Sequence, residues 1–507
     1  MSVRKMENHC HKLNSLARVL VGLFLAIFGF CCEASADIDL QKISNLSRTL
    51  QFEKIVDEYE DYPWANLNDP GILMQYCYAL VETGRDLPDS LKEPKVPQHI
   101  SNFSKGYYIL LKGDYVQALD IFVDLTTKSR GLIWGYIGLL EFDIWTENVA
   151  NMTEPLTRLK ELSEHDLQNI SWVVPYYSSY YNFNIGNFDK TKAILVEKKS
   201  QLDSDFYDEL YVNLLIDSED DLEEAERYVQ KAIKEKGPTP NLITLKAQLM
   251  GFRSGPEQQI AYLAKQVDEF PNMWAIKRFY AYTLIDTGEV AKGINILRNL
   301  AEQRPFDVMV QLNLAETLLL YQNGRGLKDI FVAINYPFQL PYFNVIMARI
   351  FHIQGKDKQA EEHLGIAKSI FPNSKDVLWF SFDKAMDNHA YDSAISAMTE
   401  YLDAYPYDID GMFALLEAYH RNSQHGLVLK IAKKIQKSKR FVKQEILNKI
   451  QVYVREAKEC DVGQKNRDRF IYCSPSTAAK PPGTRPVRPV PERPPRPRPS
   501  TTSPASV

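Results

Sequence analysis

Five stretches of the chain place Ala281, Ala315, Ala348, Phe382 and Leu416 at corresponding points of one pattern, at intervals of 34, 33, 34 and 34 residues. A sustained period of this length constrains the fold more than any local motif. A unit of about 34 residues is one supersecondary element that cannot bury its apolar face alone and must stack on its neighbours. The clearest unit is YFNVIMARIFHIQGKDKQAEEHLGIAKSIFPNS, residues 342–374. Its apolar residues recur every three to four positions in two blocks, separated by Gly355-Lys356-Asp357 and stopped at Pro372. That pattern predicts helix, turn, helix, stop. Ala348 and Ala360 let the two helices approach, while Phe351, Leu364 and Ala367 fill the seam.

The design returns in AIKRFYAYTLIDTGEVAKGINILRNLAEQRP, where Ala281, Leu284, Gly288, Gly293, Leu297 and Pro305 take the equivalent places. Gly106, Ile109, Gly113, Ala118 and Phe122 fit an earlier unit, Trp134, Ile137 and Gly138 the helix after it, and Ala225 and Ala232 a later one. Between residues 142 and 272 the spacing wanders. On these residues the chain resembles the tetratricopeptide repeat family over most of residues 70–436. The resemblance implies an all-α, right-handed superhelical solenoid of helix-turn-helix repeats, with a concave groove lined mainly by the first helix of each unit. It implies little about activity. Phe382 and Leu416 are large where the family prefers small residues, which implies wider helix separation near that end.

The expected organisation is a signal peptide at 1–36, an N-terminal helical cap at 37–69, degenerate repeats at 70–273 and regular repeats at 274–436. A capping helix and a Cys460–Cys473 loop occupy 437–473, and a disordered Pro/Arg-rich tail 474–507. Arg4, Lys5, Lys12 and Arg18 precede an uncharged apolar run from Val19 to Cys32, and Ala34-Ser35-Ala36 follows. This is the layout of a secretory signal cut after Ala36. Retention as a membrane anchor is the alternative, but a run of 14 residues falls short of the roughly 20 needed to span a bilayer. Cleavage leaves Cys77, Cys460 and Cys473 in an oxidising compartment. Cys77 lies in the apolar stretch LMQYCYALV, whereas Cys460 and Cys473 close a polar loop, so the expected bridge joins those two, with three free thiols as the alternative.

Eleven prolines between Pro475 and Pro504 exclude a packed core and favour extended polyproline II. Arg485, Arg488, Arg493, Arg496 and Arg498 are interleaved with them, and residues 480–507 carry +5 against −12 for residues 37–479. A second basic run, seven positive residues between Lys430 and Lys443, reads as a solvated helix face or a contact for an anionic envelope surface.

The chain holds no His-Glu-x-x-His, Cys-x-x-Cys, Gly-x-Ser-x-Gly or phosphate-cradling glycine loop, so no catalytic residue, metal or cofactor is expected. The candidate site is aromatic. WVVPYYSSYYNFNIGNF, residues 172–188, holds seven aromatic side chains in 17 positions. With Ser179 at the small position of its helix, the resemblance puts Tyr176, Tyr180 and Phe183 on the groove, together with Phe103, Tyr107, Tyr282, Trp379 and Phe413 from other units. Such residues suit a peptide or a sugar ring; the alternative is that they pack against one another inside the array. The functional expectation is a periplasmic scaffold that helps assemble a secretion, pilus or exopolysaccharide-export machine, with envelope proteins or peptides in the groove. Carbohydrate binding and an enzyme with a dispersed site are the rivals. Nucleic acid is not an expected partner, and membrane contact is expected only peripherally or through an uncleaved signal segment. A secreted eukaryotic protein is a further alternative, since Asn45, Asn102, Asn151 and Asn169 each begin an Asn-x-Ser/Thr triplet.

Overall fold

The computed structural model describes residues 42–461 except 45, 48–49, 68, 147, 163–169, 203, 219–221, 305–306, 323–340 and 438–443. The signal segment, Cys473 and the Pro/Arg tail named above lie outside the described residues. Every regular element among the described residues is a helix. Two helices open the array, α1 (Phe52–Tyr59) and α2 (Pro70–Glu82). Pairs follow: α3 (Gln98–Leu111) with α4 (Tyr115–Thr126), α5 (Leu132–Trp145) with α6 (Thr153–Glu161), and α7 (Val173–Asn184) with α8 (Phe188–Glu197). Next come α9 (Ser204–Ser218) with α10 (Leu222–Lys236), α11 (Pro240–Ser254) with α12 (Pro256–Glu269), and α13 (Trp274–Asp286) with α14 (Val290–Gln303). After α15 (Val308–Gln322) the pairs are α16 (Pro341–Ile353) with α17 (Asp357–Ile370), α18 (Lys375–Asp387) with α19 (Tyr391–Ala404), and α20 (Ile409–Arg421) with α21 (His425–Lys437). Helix α22 (Gln444–Asp461) closes the series.

The first helices of the last five units start at Trp274, Val308, Pro341, Lys375 and Ile409, spaced 34, 33, 34 and 34 residues apart. This is the ladder read from the sequence, and all five of its residues are buried. Earlier first helices start at Gln98, Leu132, Val173, Ser204, Pro240 and Trp274, with spacings of 34, 41, 31, 36 and 34. The long interval holds an extra 3-10 turn, Val149–Met152.

Local chemistry sets the boundaries. Asp69, Asp114, Asn187, Thr239 and Asp408 each accept a backbone N–H in the first turn of their helix, satisfying donors that the helix leaves unpaired. Gly113, Gly186, Gly288 and Gly355 follow first helices with φ between 72° and 95°, where a side chain is strained. Between α3 and α5, Phe122 of α4 is wedged against two glycines. A Cβ at Gly138 would lie 2.2 Å from Phe122 Cδ1, and one at Gly106 2.8 Å from Phe122 Cε1. Leaving both positions bare creates the slot that the ring fills.

Each helix packs on the next. First helices of successive units also touch, α3 on α5, α9 on α11, α11 on α13, α15 on α16 and α16 on α18, whereas among the described residues no pair of second helices approaches to that extent. The first helices therefore form the inner face of a curved array. The curve brings distant units together. Arg304 Nη2, after α14, donates to Glu82 Oε1 of α2 at 2.6 Å, and Arg304 Nε donates to Asp307 at 3.1 Å. Phe142 of α5 stacks on Phe371 at 5.8 Å, across 229 residues of chain.

Candidate partner groove

The inner face divides into a filled part and an accessible part. In the filled part Phe103 and Tyr107 on α3 and Tyr180 on α7 are 0% exposed, and Tyr176 is 2% exposed. Phe183 and Tyr282 are buried as well. The exposed groove expected at these six positions is corrected: they are interior side chains. Tyr176 packs on Phe206 at 4.3 Å and on Tyr177 at 4.8 Å, and Phe103 packs on Trp134 at 5.1 Å. Helix pairs here stack so closely that aromatic rings fill the space between units and leave no open surface.

A carboxyl group organises this interior. Glu141 lies in the apolar stretch LIWGYIGLLEFDIW of α5 and is 2% exposed. Tyr177 donates to its Oε1 at 2.7 Å and Tyr107 to its Oε2 at 3.3 Å, so one side chain ties α3, α5 and α7 together. Burial pushes the carboxyl up to about 7, and the two tyrosine hydroxyls oppose that rise. Sequence reasoning missed Glu141. Its signal was a pair of acids, Glu141 and Asp143, inside a helix that is otherwise apolar on nearly every side.

The accessible part lies on α16, α18 and α20. Trp379 and Phe413 are the two named aromatics that keep solvent-accessible surface. Trp379 meets Phe382 and Tyr401 edge-on at 5.8 and 5.5 Å, and Phe413 stacks on Tyr453 at 6.4 Å. Each sits in the same charged setting. Asp376, Trp379 and Asp383 form an i, i+3, i+7 stripe on α18, and Asp410, Phe413 and Glu417 repeat it 34 residues later on α20. Arg349 of α16 donates to Glu316 of α15 at 3.3 Å. Burial raises Asp376, and the nearby Arg349 and Lys375 charges oppose this. His420 is paired with Glu456 at 3.2 Å and stacks on Tyr453 at 4.3 Å, which docks α22 on α20. The backbones of α18 and α20 approach each other less closely than those of α16 and α18. Phe382 and Leu416, the large residues of the ladder, are both buried.

Among the described residues no group of three or more His, Cys, Asp or Glu side chains is placed to hold a metal. Among them, too, no helix is long and apolar enough to cross a membrane. Cys77 is a buried free thiol, and Cys460 stands in the last turn of α22, with Cys473 outside the described residues.

Fold and face together define an all-α array of tetratricopeptide-type helix hairpins whose first helices form a continuous inner surface. No family model matches the chain, and no curated protein is similar to it. Among solved structures it is similar to the APC/C hetero-tetramer Cut9-Hcn1, at TM-score 0.34 and 9% identity over 85% of this chain and 91% of that one. It is similar to yeast Tom70 at TM-score 0.46 and 12% identity, over 85% and 97% of the two chains. A human IFIT1 dimer with PPP-AAAA gives TM-score 0.32 and 12% identity over 76% and 99%.

Proposed function

We propose that the chain is a non-catalytic scaffold, exported to the periplasm of a Gram-negative bacterium, that holds envelope proteins or peptide segments while a secretion, pilus or exopolysaccharide-export machine assembles. The observation that carries this reading is the aromatic and acid pair Trp379 and Asp383 on α18, repeated as Phe413 and Glu417 on α20, a half-buried polar and aromatic face of the kind that binds extended peptide. The sugar-binding alternative loses most of its support, because six of the eight aromatics it would use are interior. Export rests on the basic, apolar and small-residue order of residues 1–36. The proposed bridge between Cys460 and Cys473 suits the same compartment.

Crosslinking in cells followed by capture of the full chain tests the scaffold. Defined envelope partners should be recovered by the native chain and lost with Trp379→Leu plus Phe413→Leu, at an unchanged melting temperature. Recovery of the same partners by the variant would remove the inner face from the function. N-terminal sequencing of exported material should read from Asp37, whereas intact Met1 in the membrane pellet would replace a periplasmic protein with an anchored one.

A further inference from the structure

We propose that the outer face of α21 lays the chain on an anionic phospholipid bilayer. Helix α21 carries Lys430, Lys433, Lys434 and Lys437 and no acid, a net +4. The outer helices before it have the opposite sign. α17 sets Lys358 and Lys368 against Asp357, Glu361 and Glu362, a net −1, and α19 carries Asp392, Glu400 and Asp403 without a cation, a net −3. The sequence continues the contrast on either side of α21: none of the 27 residues from Ala418 to Gln444 is Asp or Glu, while eight are Lys or Arg. In a body of −12, positive charge is therefore concentrated at one end of the array.

The fold turns these lysines outward. Val428, Ala432 and Ile435 are the buried residues of α21. At about 100° per residue, Leu427 and the four lysines fill an arc of about 120° on the opposite side of the helix. All five are exposed, Leu427 by 37%. Among the described residues none of the four lysines is paired with a carboxylate, and Lys434 donates to the Pro406 carbonyl at 3.5 Å. On earlier outer helices Arg158 of α6, Lys231 of α10 and Lys292 of α14 are each paired with an acid. A solvated face of mixed sign neutralises itself in that way, and the α21 face does not. Clusters of four or more Lys or Arg on an amphipathic helix attract the headgroups of anionic lipids. Lysine suits this task because its ammonium is a point charge on a flexible stem, whereas the carboxylates of an acidic protein are matched better by arginine forks, and α21 has no arginine. Leu427 adds one apolar side chain at the head of the stripe. The remaining apolar side of α21 packs on the core, so the attachment is electrostatic and reversible.

This deepens the envelope reading and rests on it only for which membrane is met. Vesicles contain no partner protein, so failure here and failure of partner capture are separate results. The full chain, recovered from the exported fraction, is co-sedimented with vesicles of phosphatidylcholine alone or mixed with phosphatidylglycerol. At low salt the anionic vesicles should hold it about a hundredfold better or more, at about fivefold for each lysine near the surface. That preference should fall by about tenfold or more as salt rises to several times physiological strength, because exposed charges are screened. Lys430→Gln plus Lys437→Gln should lower partitioning about 25-fold, while Lys430→Arg plus Lys437→Arg should keep it near native. Circular dichroism checks folding, and Lys433→Gln plus Lys434→Gln replaces the first pair if that pair unfolds. Changing Arg485, Arg488, Arg493, Arg496 and Arg498 to Gln controls for the basic tail and should leave most of the preference in place. Equal binding to the two kinds of vesicle, native partitioning by a folded Lys→Gln variant, or loss of the preference on neutralising the tail would each overturn the proposal; an acidic protein as the occupant of α21 corresponds to the first of these.

Discussion

Glu141 is one carboxyl group with two tyrosine donors and almost no access to water. Its folded value of about 7 stands above the ordinary 4.5, so the native state holds this proton more tightly than the unfolded chain does. The contribution is fully present below about 4.5 and is lost as pH rises through about 7, a swing of roughly 3 kcal/mol at most. Glu141→Gln should therefore flatten the stability profile between those limits and raise stability above pH 7. Urea titrations across that range measure it, and an unchanged slope would refute the assignment. Backbone strain gives a second residue-scale outcome. The turns after α18 and α20 use His389 and Ser423 at φ 58°, where earlier turns use glycine. A side chain in that region costs about 1–2 kcal/mol. His389→Gly and Ser423→Gly should each recover up to about 1 kcal/mol in denaturant melts, while Gly288→Ala, at φ 95°, should lose at least as much.

At the scale of elements, helix pairing was legible because it is written locally. Ladder residues, turn glycines and terminal prolines recur at a fixed offset, and the helix starts at 274, 308, 341, 375 and 409 follow from them. The irregular middle was legible only as irregularity. The sequence carries no small-residue signal for the 41-residue step between α5 and α7, because a 3-10 turn and the short α6 take up the extra chain. Seam packing can be tested where it is tightest. Gly138→Ala forces a methyl into the Phe122 ring and should cost about 1–3 kcal/mol, the usual range for overpacking. Adding Phe122→Leu should recover part of that loss, since a smaller side chain vacates the contested space. If the two losses simply add in thermal melts, Phe122 is not the obstacle.

At the scale of the whole molecule, what the sequence hid was closure. Phe103, Tyr107, Tyr176 and Tyr180 were recognisable as one set, but their burial depends on stacking between units, and Phe142 meets Phe371 only because the array curves back on itself. No helical periodicity encodes a contact 229 residues away. The same closure creates an ionic clasp. Arg304 bridges Glu82 and Asp307, lies over the Trp274 ring at 4.2 Å and is largely shielded from water. Buried charges are costly when left alone, so the two sides of this clasp are unequal. Glu82→Gln leaves Arg304 paired with Asp307 and keeps a hydrogen-bonding group in place. Arg304→Met leaves two buried carboxylates without their cation, and its cost should fall in the range of about 3–5 kcal/mol known for breaking such pairs from one side. Hydrogen exchange locates the effect: Arg304→Met should speed exchange in α1, α2 and α15 far more than Glu82→Gln does, and leave α18 to α20 unchanged. Equal effects of the two substitutions, or faster exchange spread evenly along the array, would show that the clasp is not what holds the opening helices against the regular repeats.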